Sequence, residues 1–152
     1  MDLYPELKAD LQQLAGPLIQ VSTIFIRKRG AFLPHGAVLN ASNEVRLLMA
    51  TPDDNPDKEV STTEVLPLLH ASLRKATLAD VKAVGVCEDV RVAFEGQPET
   101  RAIKVLVEHQ RGLCVAFYLP SARRMLWGWK FGEMIAKPAS AEVKCWGASS
   151  AS

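Results

Sequence analysis

The sequence predicts one α+β domain, in which an antiparallel sheet of about five to six strands packs mainly one face against two helices. Two observations support this fold class. Apolar residues recur at helical spacing over residues 5–29 and again between about 61 and 76, whereas from Val81 onward they alternate with a period of two. Short turns join the stretches of period two, and consecutive strands with short connections favour antiparallel pairing.

Length and composition fit a single folded domain. The chain has 152 residues, of which 48% are apolar and 23% are charged, which is close to the average of globular proteins. We expect residues 1–146 to form the domain. Residues 147–152 are Gly, Ala and Ser alone, and we expect them to form a disordered tail.

The charge balance argues against a nucleic acid as the main partner. Lys and Arg number 18 against 17 Asp and Glu, whereas nucleic-acid binders owe much of their affinity to a basic excess. We find no signal-peptide pattern and no stretch of the roughly 20 apolar residues that a membrane span needs. Three cysteines without a C-x-x-C pair are typical of reduced thiols. The sequence therefore predicts a cytoplasmic protein that binds neither membrane nor nucleic acid.

The first predicted element is an amphipathic helix over about Pro5–Arg29. Gly30 can adopt the left-handed conformation that ends a helix, and the three basic residues before it suit the negative end of the helix dipole. Gly16 and Pro17 interrupt the pattern, but the apolar stripe continues in phase beyond them, which predicts a kink and not a break. The stripe consists of Leu7, Leu11, Leu14, Leu18, Val21 and Phe25.

A hairpin over residues 36–51 and a second helix ending near Ala76 follow. Pairing Leu39 with Val45 places a set of apolar residues on the core side of the hairpin. The spacing of Ser61 and Glu64 is typical of a capping box, whereas a proline in the next turn favours a later helix start, and both starts stay open. The set on the core side of the hairpin comprises Ala37, Leu39, Val45, Leu47 and Met49.

The C-terminal half is predicted to form strands. Residues 101–109 and 113–119 form a hairpin around Gly112, and a last strand covers about 125–131. The hairpin register aligns one face of each strand, namely Ile103, Val105, Val107 and His109 with Leu113, Val115, Phe117 and Leu119. In the last strand, the residues on the same face are Met125, Trp127, Trp129 and Phe131. This pattern favours tryptophans that pack in the core over tryptophans that stack on the bases of a nucleic acid.

Two histidines are the candidate catalytic residues. His35 and His109 are expected at strand ends, on the side that faces the core. Convergence of these histidines with Cys114 or Glu108 would assemble an acid–base or nucleophilic set. The other reading is a pair of hydrogen-bonded histidines at the rim of the core, and no common nucleotide or protease motif accompanies them.

The loop before the second helix carries oxygen-bearing side chains at the spacing of an EF-hand loop. Asp53, Asn55, Asp57 and Glu64 fall at its first, third, fifth and twelfth positions. Lys58 stands where the sharp turn of such a loop needs glycine. We therefore expect a solvated acidic loop that holds no calcium, and no other metal or cofactor is predicted.

One face of the 101–119 hairpin is the predicted dimer interface. Leu106, Cys114, Ala116 and Tyr118 give this face fewer charges than a wet surface usually has. Two-fold dimers are the commonest oligomers, so we expect a homodimer through this face. The alternative is that the segment from Ile135 to Trp146 folds back and covers the face within one chain.

One segment resembles a known family. Residues 32–39, which read F-L-P-H-G-A-V-L, followed by Asn43-Glu44-Val45, resemble a family of small uncharacterised bacterial proteins with the pattern F-x-P-x-G-A-x-L. The resemblance implies a bacterial origin and assigns no functional residue, because that family has no established activity. The order of elements is also similar to roadblock and profilin-like domains, which act as dimeric protein-binding platforms.

These features predict a non-catalytic, oligomeric protein-interaction domain of a bacterial cytoplasm. A homodimer is the expected assembly, with a further protein partner of unknown identity. The alternative function is a small-molecule-binding protein or an enzyme with a pocket between helix and sheet.

Overall fold

A computed structural model describes residues 3–49, 62–77, 80–124 and 128–146. Within these residues, all strands pair antiparallel in the order β2-β1-β3-β4-β5-β6, and β7 pairs with the other end of β5. The predicted α+β class with an antiparallel sheet is confirmed. The elements in chain order are α1 (Tyr4–Arg29), β1 (His35–Asn40), β2 (Val45–Leu48), α2 (Thr62–Ala76), β3 (Val81–Ala93), β4 (Glu99–His109), β5 (Cys114–Arg124), β6 (Gly128–Phe131) and β7 (Ile135–Pro138).

Helix α1 is continuous through Pro17, because its apolar stripe stays in phase on both sides of the proline. It ends at Gly30, whose φ of 80° lets its N–H donate to the carbonyl of Ile26. Val21 and Phe25 lie half-buried at the margin of the predicted stripe. The buried residues of α1 are Leu7, Leu11, Leu14, Ala15, Leu18, Ser22 and Ile26.

The two helices lie on opposite faces of the sheet, which corrects the prediction that both pack mainly on one face. A Cβ added to Gly36 would lie 3.3 Å from Leu73 of α2. A Cβ added to Gly85 would lie 2.8 Å from Leu18 of α1. Gly36 pairs with Val86, the residue after Gly85, so these two glycines point to opposite faces. We call these faces the α1 face and the α2 face.

The composition of the central strands explains why both faces need cover. β3 and β4 contain unbroken buried runs at residues 83–87 and 105–109, so their side chains are buried on both faces. Such runs are typical of strands that are covered on both sides. The opposite face of the first hairpin carries the polar residues Asn40, Glu44 and Arg46, and this polar face does not extend to β3 and β4.

Strand β7 raises the number of strands to seven and was not predicted. It has only four residues, including Lys137 and Pro138, and such a short polar segment carries little alternation. It pairs with β5 over Val115–Tyr118. The chain then continues onto the α2 face.

Strand β6 places Trp129 and Phe131 against the core on the α1 face, as predicted. Arg101 of β4 lies over the Trp129 ring, 4.9 Å from its centroid, and is itself paired with Asp89 of β3. Met125 and Trp127 lie outside the described residues. No helix among the described residues is long and apolar enough to cross a membrane.

Candidate functional site

A buried polar cluster lies between α1 and strands β1 and β3. The hydroxyl oxygen of Ser22 is 3.3 Å from Nε2 of His35 and 2.9 Å from Sγ of Cys87. Nδ1 of His35 is 3.0 Å from the carbonyl oxygen of Leu33, which can only accept. Nδ1 therefore donates to this carbonyl, whereas the single proton of the Ser22 hydroxyl is donated to the carbonyl oxygen of Leu18, 2.8 Å away. The Cys87 thiol then donates to Ser22, so that these side chains form a chain of hydrogen bonds ending on the backbone.

This cluster is sealed and unreactive. Ser22 and Cys87 have 0% exposed surface, and His35 has 2%. Burial raises the pKa of the Cys87 thiol to about 12; the hydrogen bond with Ser22 lowers the pKa, and Glu88 and Asp89 raise it. Since the thiolate is the nucleophilic form of cysteine, Cys87 is a packing residue at neutral pH.

His109 belongs to a second polar cluster, at the N-terminal half of α1. The backbone N–H of Arg111 donates to its Nδ1 at 3.2 Å, and its Nε2 donates to the Asp10 carboxylate at 3.0 Å. Lys82 also donates to Asp10, at 3.1 Å. Burial raises the pKa of Asp10, but the hydrogen bonds and charges of His109 and Lys82 lower it further than burial raises it. Both ring nitrogens of His109 are engaged, which leaves no lone pair for general-base catalysis.

The structure does not bring the two histidines together. His35 pairs with Cys87 and His109 pairs with Ala83, on either side of β3. Four residues of an extended strand separate these pairing positions, a distance of about 13 Å. Neither histidine converges with Cys114 or Glu108, because alternation places both of those residues on the α2 face, whereas the histidines are on the α1 face.

Glu108 holds the C-terminal segment on the α2 face. Glu108 is 3% exposed, and its carboxylate accepts three consecutive backbone N–H groups, from Glu142 at 3.0 Å, Val143 at 2.7 Å and Lys144 at 2.9 Å. Consecutive amides directed at one anion form a nest, and the left-handed backbone of Lys144, with φ of 61°, is typical of one. We call Glu108 and residues 142–144 the C-terminal clasp.

Two further side chains, one from α2 and one from β4, reinforce the clasp. Arg74 of α2 donates to the carbonyl of Val143 at 2.9 Å. Lys104 of β4 forms an ion pair with Glu142 at 3.2 Å. Val143 is itself buried in an apolar cluster with residues of α2 and β3. Hydrogen bonds and apolar packing therefore act on the same few residues.

The C-terminal segment covers the predicted dimer interface. Leu106 and Ala116 are 1% and 2% exposed, and Cys114 and Tyr118 are half-buried. Burial raises the pKa of the Cys114 thiol to about 12, and Glu108 and Glu142 raise it as well. The structure therefore agrees with the alternative, in which the segment from Ile135 to Trp146 folds back onto this face within one chain. This patch is not an open surface of the chain.

An exposed apolar surface lies at the sheet edge formed by β2. The side-chain amide of Gln13 donates to the carbonyl of Asn43 at 3.3 Å, which shows the side of α1 that faces the first hairpin. Ile24 lies three helical turns beyond Gln13, on that same side. Of the six large apolar side chains exposed among the described residues, four lie at this edge, and we call them the β2 rim: Ile24, Leu33, Leu47 and Met49.

The backbone groups on the outer side of β2 have no partner among the described residues. The N–H of Asn40 donates to the carbonyl of Glu44 at 3.0 Å. Every second residue from Glu44 onward therefore turns its backbone groups toward β1. The residues between them turn their N–H and C=O groups outward, and these are Val45, Leu47 and Met49.

A cavity of about 240 Å³ opens at the same rim. The rings of Phe25 and Phe32 pack edge-on against His35, at centroid distances of 6.4 and 5.4 Å. The lining is apolar except for one guanidinium, which suits a small apolar molecule that carries an anionic group. The lining residues are Phe25, Arg29, Ala31, Phe32, Leu33 and Met49.

The calcium candidates are described only in part. Asp53, Asn55 and Asp57 lie outside the described residues. Glu64 is exposed in the first turn of α2. Within the described part of the chain, no three His, Cys, Asp or Glu side chains are grouped as a metal site would require.

Comparison with known proteins gives no relative: the chain matches no protein-family model, no curated protein and no solved structure at a significant level. The resemblance of residues 32–39 to a bacterial family therefore stays a prediction.

The sequence predicted correctly that Leu47 and Met49 lie on the side of β2 that faces α1. It also predicted that they are core residues, which is wrong. The register of Leu39 with Val45 is confirmed, and Ala37 and Leu39 are fully buried. Leu47 and Met49 are 47% and 64% exposed because β2 is the edge of the sheet. The alternation of a strand is the same at an edge and in the centre, so the sequence carried no signal for this exposure.

Proposed function

We propose that this chain is a non-catalytic interaction domain that binds other polypeptides by adding a strand to the outer edge of β2. One observation carries the proposal: the residues with outward backbone groups, Val45, Leu47 and Met49, are also those whose side chains lie on the partly open α1 side of the edge. Strand addition uses both features, because main-chain hydrogen bonds give affinity and alternate side chains give specificity.

The contrast between the two ends of the sheet supports this proposal. Proteins usually block exposed strand edges with lysine, proline or a covering element. At the far end of the sheet, β6 contains Lys130, and β7 contains Lys137 and Pro138. Strand β2 contains neither lysine nor proline. Its charged residue, Arg46, points to the face opposite Leu47.

The state of the nucleophilic and basic groups supports a role without catalysis. The thiol of Cys87 is sealed, and His109 uses both ring nitrogens within the fold. The cysteines are free in the structure, in keeping with the reducing bacterial cytoplasm in which we propose that the protein acts.

Photo-crosslinking tests the proposed edge in the cells that produce the protein. A photoreactive residue in place of Leu47 should form a polypeptide adduct, whereas the same residue in place of Leu68, which is exposed to a similar extent on α2, should form none. Adding Val45→Pro should abolish the adduct, because proline removes an outward N–H that the β1 ladder does not use. The proposal is wrong if position 47 forms no adduct, or if the adduct survives Val45→Pro.

A second candidate function is binding of a small apolar anion, and the 240 Å³ cavity beside Arg29 is the observation that favours it. Phenylacetate, titrated while NMR spectra are recorded, should then shift the signals of Phe25, Phe32 and Met49 in a saturable manner. Arg29→Gln should weaken that binding by about tenfold, as expected for the loss of one charge-assisted contact. Shifts that do not saturate, or that are unchanged by Arg29→Gln, would rule this function out.

A further inference from the structure

We infer that the occupant of the β2 edge is a second copy of this chain, paired antiparallel about a two-fold axis that passes through Leu47. The inference rests on the proposed function, because it names the partner of the same edge. Three features carry it: the direction of the edge backbone groups, the charges along β2, and the apolar residues beside it.

Symmetry limits the ways in which two copies of β2 can pair. A two-fold axis perpendicular to the sheet keeps each α1 face beside the other α1 face, so residues of one face must lie opposite each other. The axis must then pass through a residue and not between two residues. Within β2, the four possible centres are Val45, Arg46, Leu47 and Leu48.

Three of these centres are unfavourable. A centre at Leu48 would use only Leu47, Leu48 and Met49 among the described residues and would leave Val45 without a partner. A centre at Arg46 would place two guanidinium groups directly opposite each other, and like charges in such pairs destabilise a sheet. A centre at Val45 would pair Glu44 with Arg46 but place Leu47 opposite Asn43. Asn43 has a left-handed φ of 65°, so it cannot continue an extended ladder.

The centre at Leu47 uses the whole exposed edge. All five residues from Val45 to Met49 pair, and every second one has outward backbone groups that can exchange hydrogen bonds with the other copy. On the α1 face, Leu47 lies opposite its own copy, and Val45 lies opposite Met49. On the other face, Arg46 lies opposite Leu48, so the two arginines are not paired.

The side of α1 completes the contact. A five-residue ladder alone buries less than the roughly 800 Å² per partner that is usual for stable dimers. The row of apolar side chains on the paired strands would lie between the two α1 helices, each of which turns Ile24 toward this edge. The dimer would thus cover apolar surface that is 47% exposed at Ile24 and 64% exposed at Met49.

Light scattering after size exclusion tests the second copy. The purified chain at about 100 μM should have twice the mass of one chain, since an interface of usual size holds well below that concentration. Leu47→Lys should restore the mass of one chain. Leu68→Lys, a matched change at a similarly exposed leucine outside the edge, should leave the dimer intact. A single-chain mass at 100 μM, or a dimer that survives Leu47→Lys, would overturn the inference.

Cysteine cross-linking tests the register. Residues directly opposite each other in a hydrogen-bonded antiparallel pair have Cα atoms about 5.5 Å apart, which a disulfide can bridge. In a chain whose Cys114 and Cys145 are changed to serine, Leu47→Cys should form a dimer under mild oxidation. Val45→Cys and Arg46→Cys should each form at least about tenfold less disulfide-linked dimer than Leu47→Cys, because their Cα atoms do not lie opposite their own copies. A stronger cross-link from position 45 or 46 would replace the proposed register.

The two proposals fail in different ways. If the purified chain is a monomer but position 47 still forms an adduct with another polypeptide in cells, the second copy is excluded and the function of the edge stands. If position 47 forms no adduct in cells and the purified chain is a monomer, both proposals are wrong.

Discussion

Replacing Glu108 with alanine is expected to lower the free energy of unfolding by about 2–4 kcal/mol, because three backbone N–H groups lose a charged, buried acceptor. The loss of stability stays within this range because the C-terminal segment can detach, and its N–H groups can then bind water instead of remaining buried without an acceptor. The C-terminal segment should detach from the α2 face, while the β4–β5 hairpin persists. Urea denaturation followed by circular dichroism measures the change in stability.

Thiol alkylation gives a second measure of the same release. Burial raises the pKa of Cys145 to about 11, the hydrogen bond with Thr77 lowers it, and Glu108 raises it. At pH 8, a cysteine with an ordinary pKa near 9 forms about 100 times more thiolate than a cysteine with a pKa of 11. Iodoacetamide should therefore modify Cys145 about 100 times faster in Glu108→Ala than in the unchanged protein.

A control separates the buried nest from the exposed charges around it. Glu142→Gln removes the ion pair with Lys104 but keeps the backbone amide that Glu108 binds, and should change stability by about 0.5 kcal/mol or less. If Glu108→Ala behaves like Glu142→Gln, or leaves both the stability and the thiol reactivity unchanged, the clasp does not hold the segment.

Leu14→Ala is expected to cost about 2–5 kcal/mol of stability, as is usual for a buried leucine whose removal leaves a cavity. Leu14 is 0% exposed, and its Cβ would lie 3.7 Å from a Cβ added to Gly85 of the central strand. The lost contacts are therefore those between α1 and the centre of the sheet.

Gln12→Ala is the matched control, since Gln12 is exposed on the other side of the same turn and surface changes stay within about 0.5 kcal/mol. Chemical denaturation of both variants gives the comparison. Equal midpoints for Leu14→Ala and Gln12→Ala would contradict the packing of α1 described above.

Local patterns were sufficient for most of the fold. The stripe of leucines and the glycine at position 30 predicted α1 and its end. The alternation around Gly112 predicted the register of β4 with β5, in which Val105 pairs with Phe117 and Val107 with Val115. Each of these features depends on residues that are near one another in sequence, so the pattern contains the information.

Features that depend on distant parts of the chain were not predictable. The side of the sheet that α2 covers depends on the path of the connection from β2, and residues 50–61 carry no pattern that fixes it. The isolated charge of Glu108 within an apolar strand was visible, but its partners lie 34 to 36 residues later. The exposure of Leu47 depends on strand order, which alternation does not encode.

The hydrogen bond between Asp10 and His109 joins residues that are 99 positions apart in the chain, so it cannot form until most of the chain has been synthesised. Helix α1 is made first, but β3 and β4, which cover its apolar stripe, are complete only 80 residues after Arg29. At about 5–20 residues per second, a ribosome needs roughly 4–16 s for that distance. During this interval the nascent chain presents an uncovered amphipathic helix, of the kind that chaperones bind and that associates with other unfinished chains.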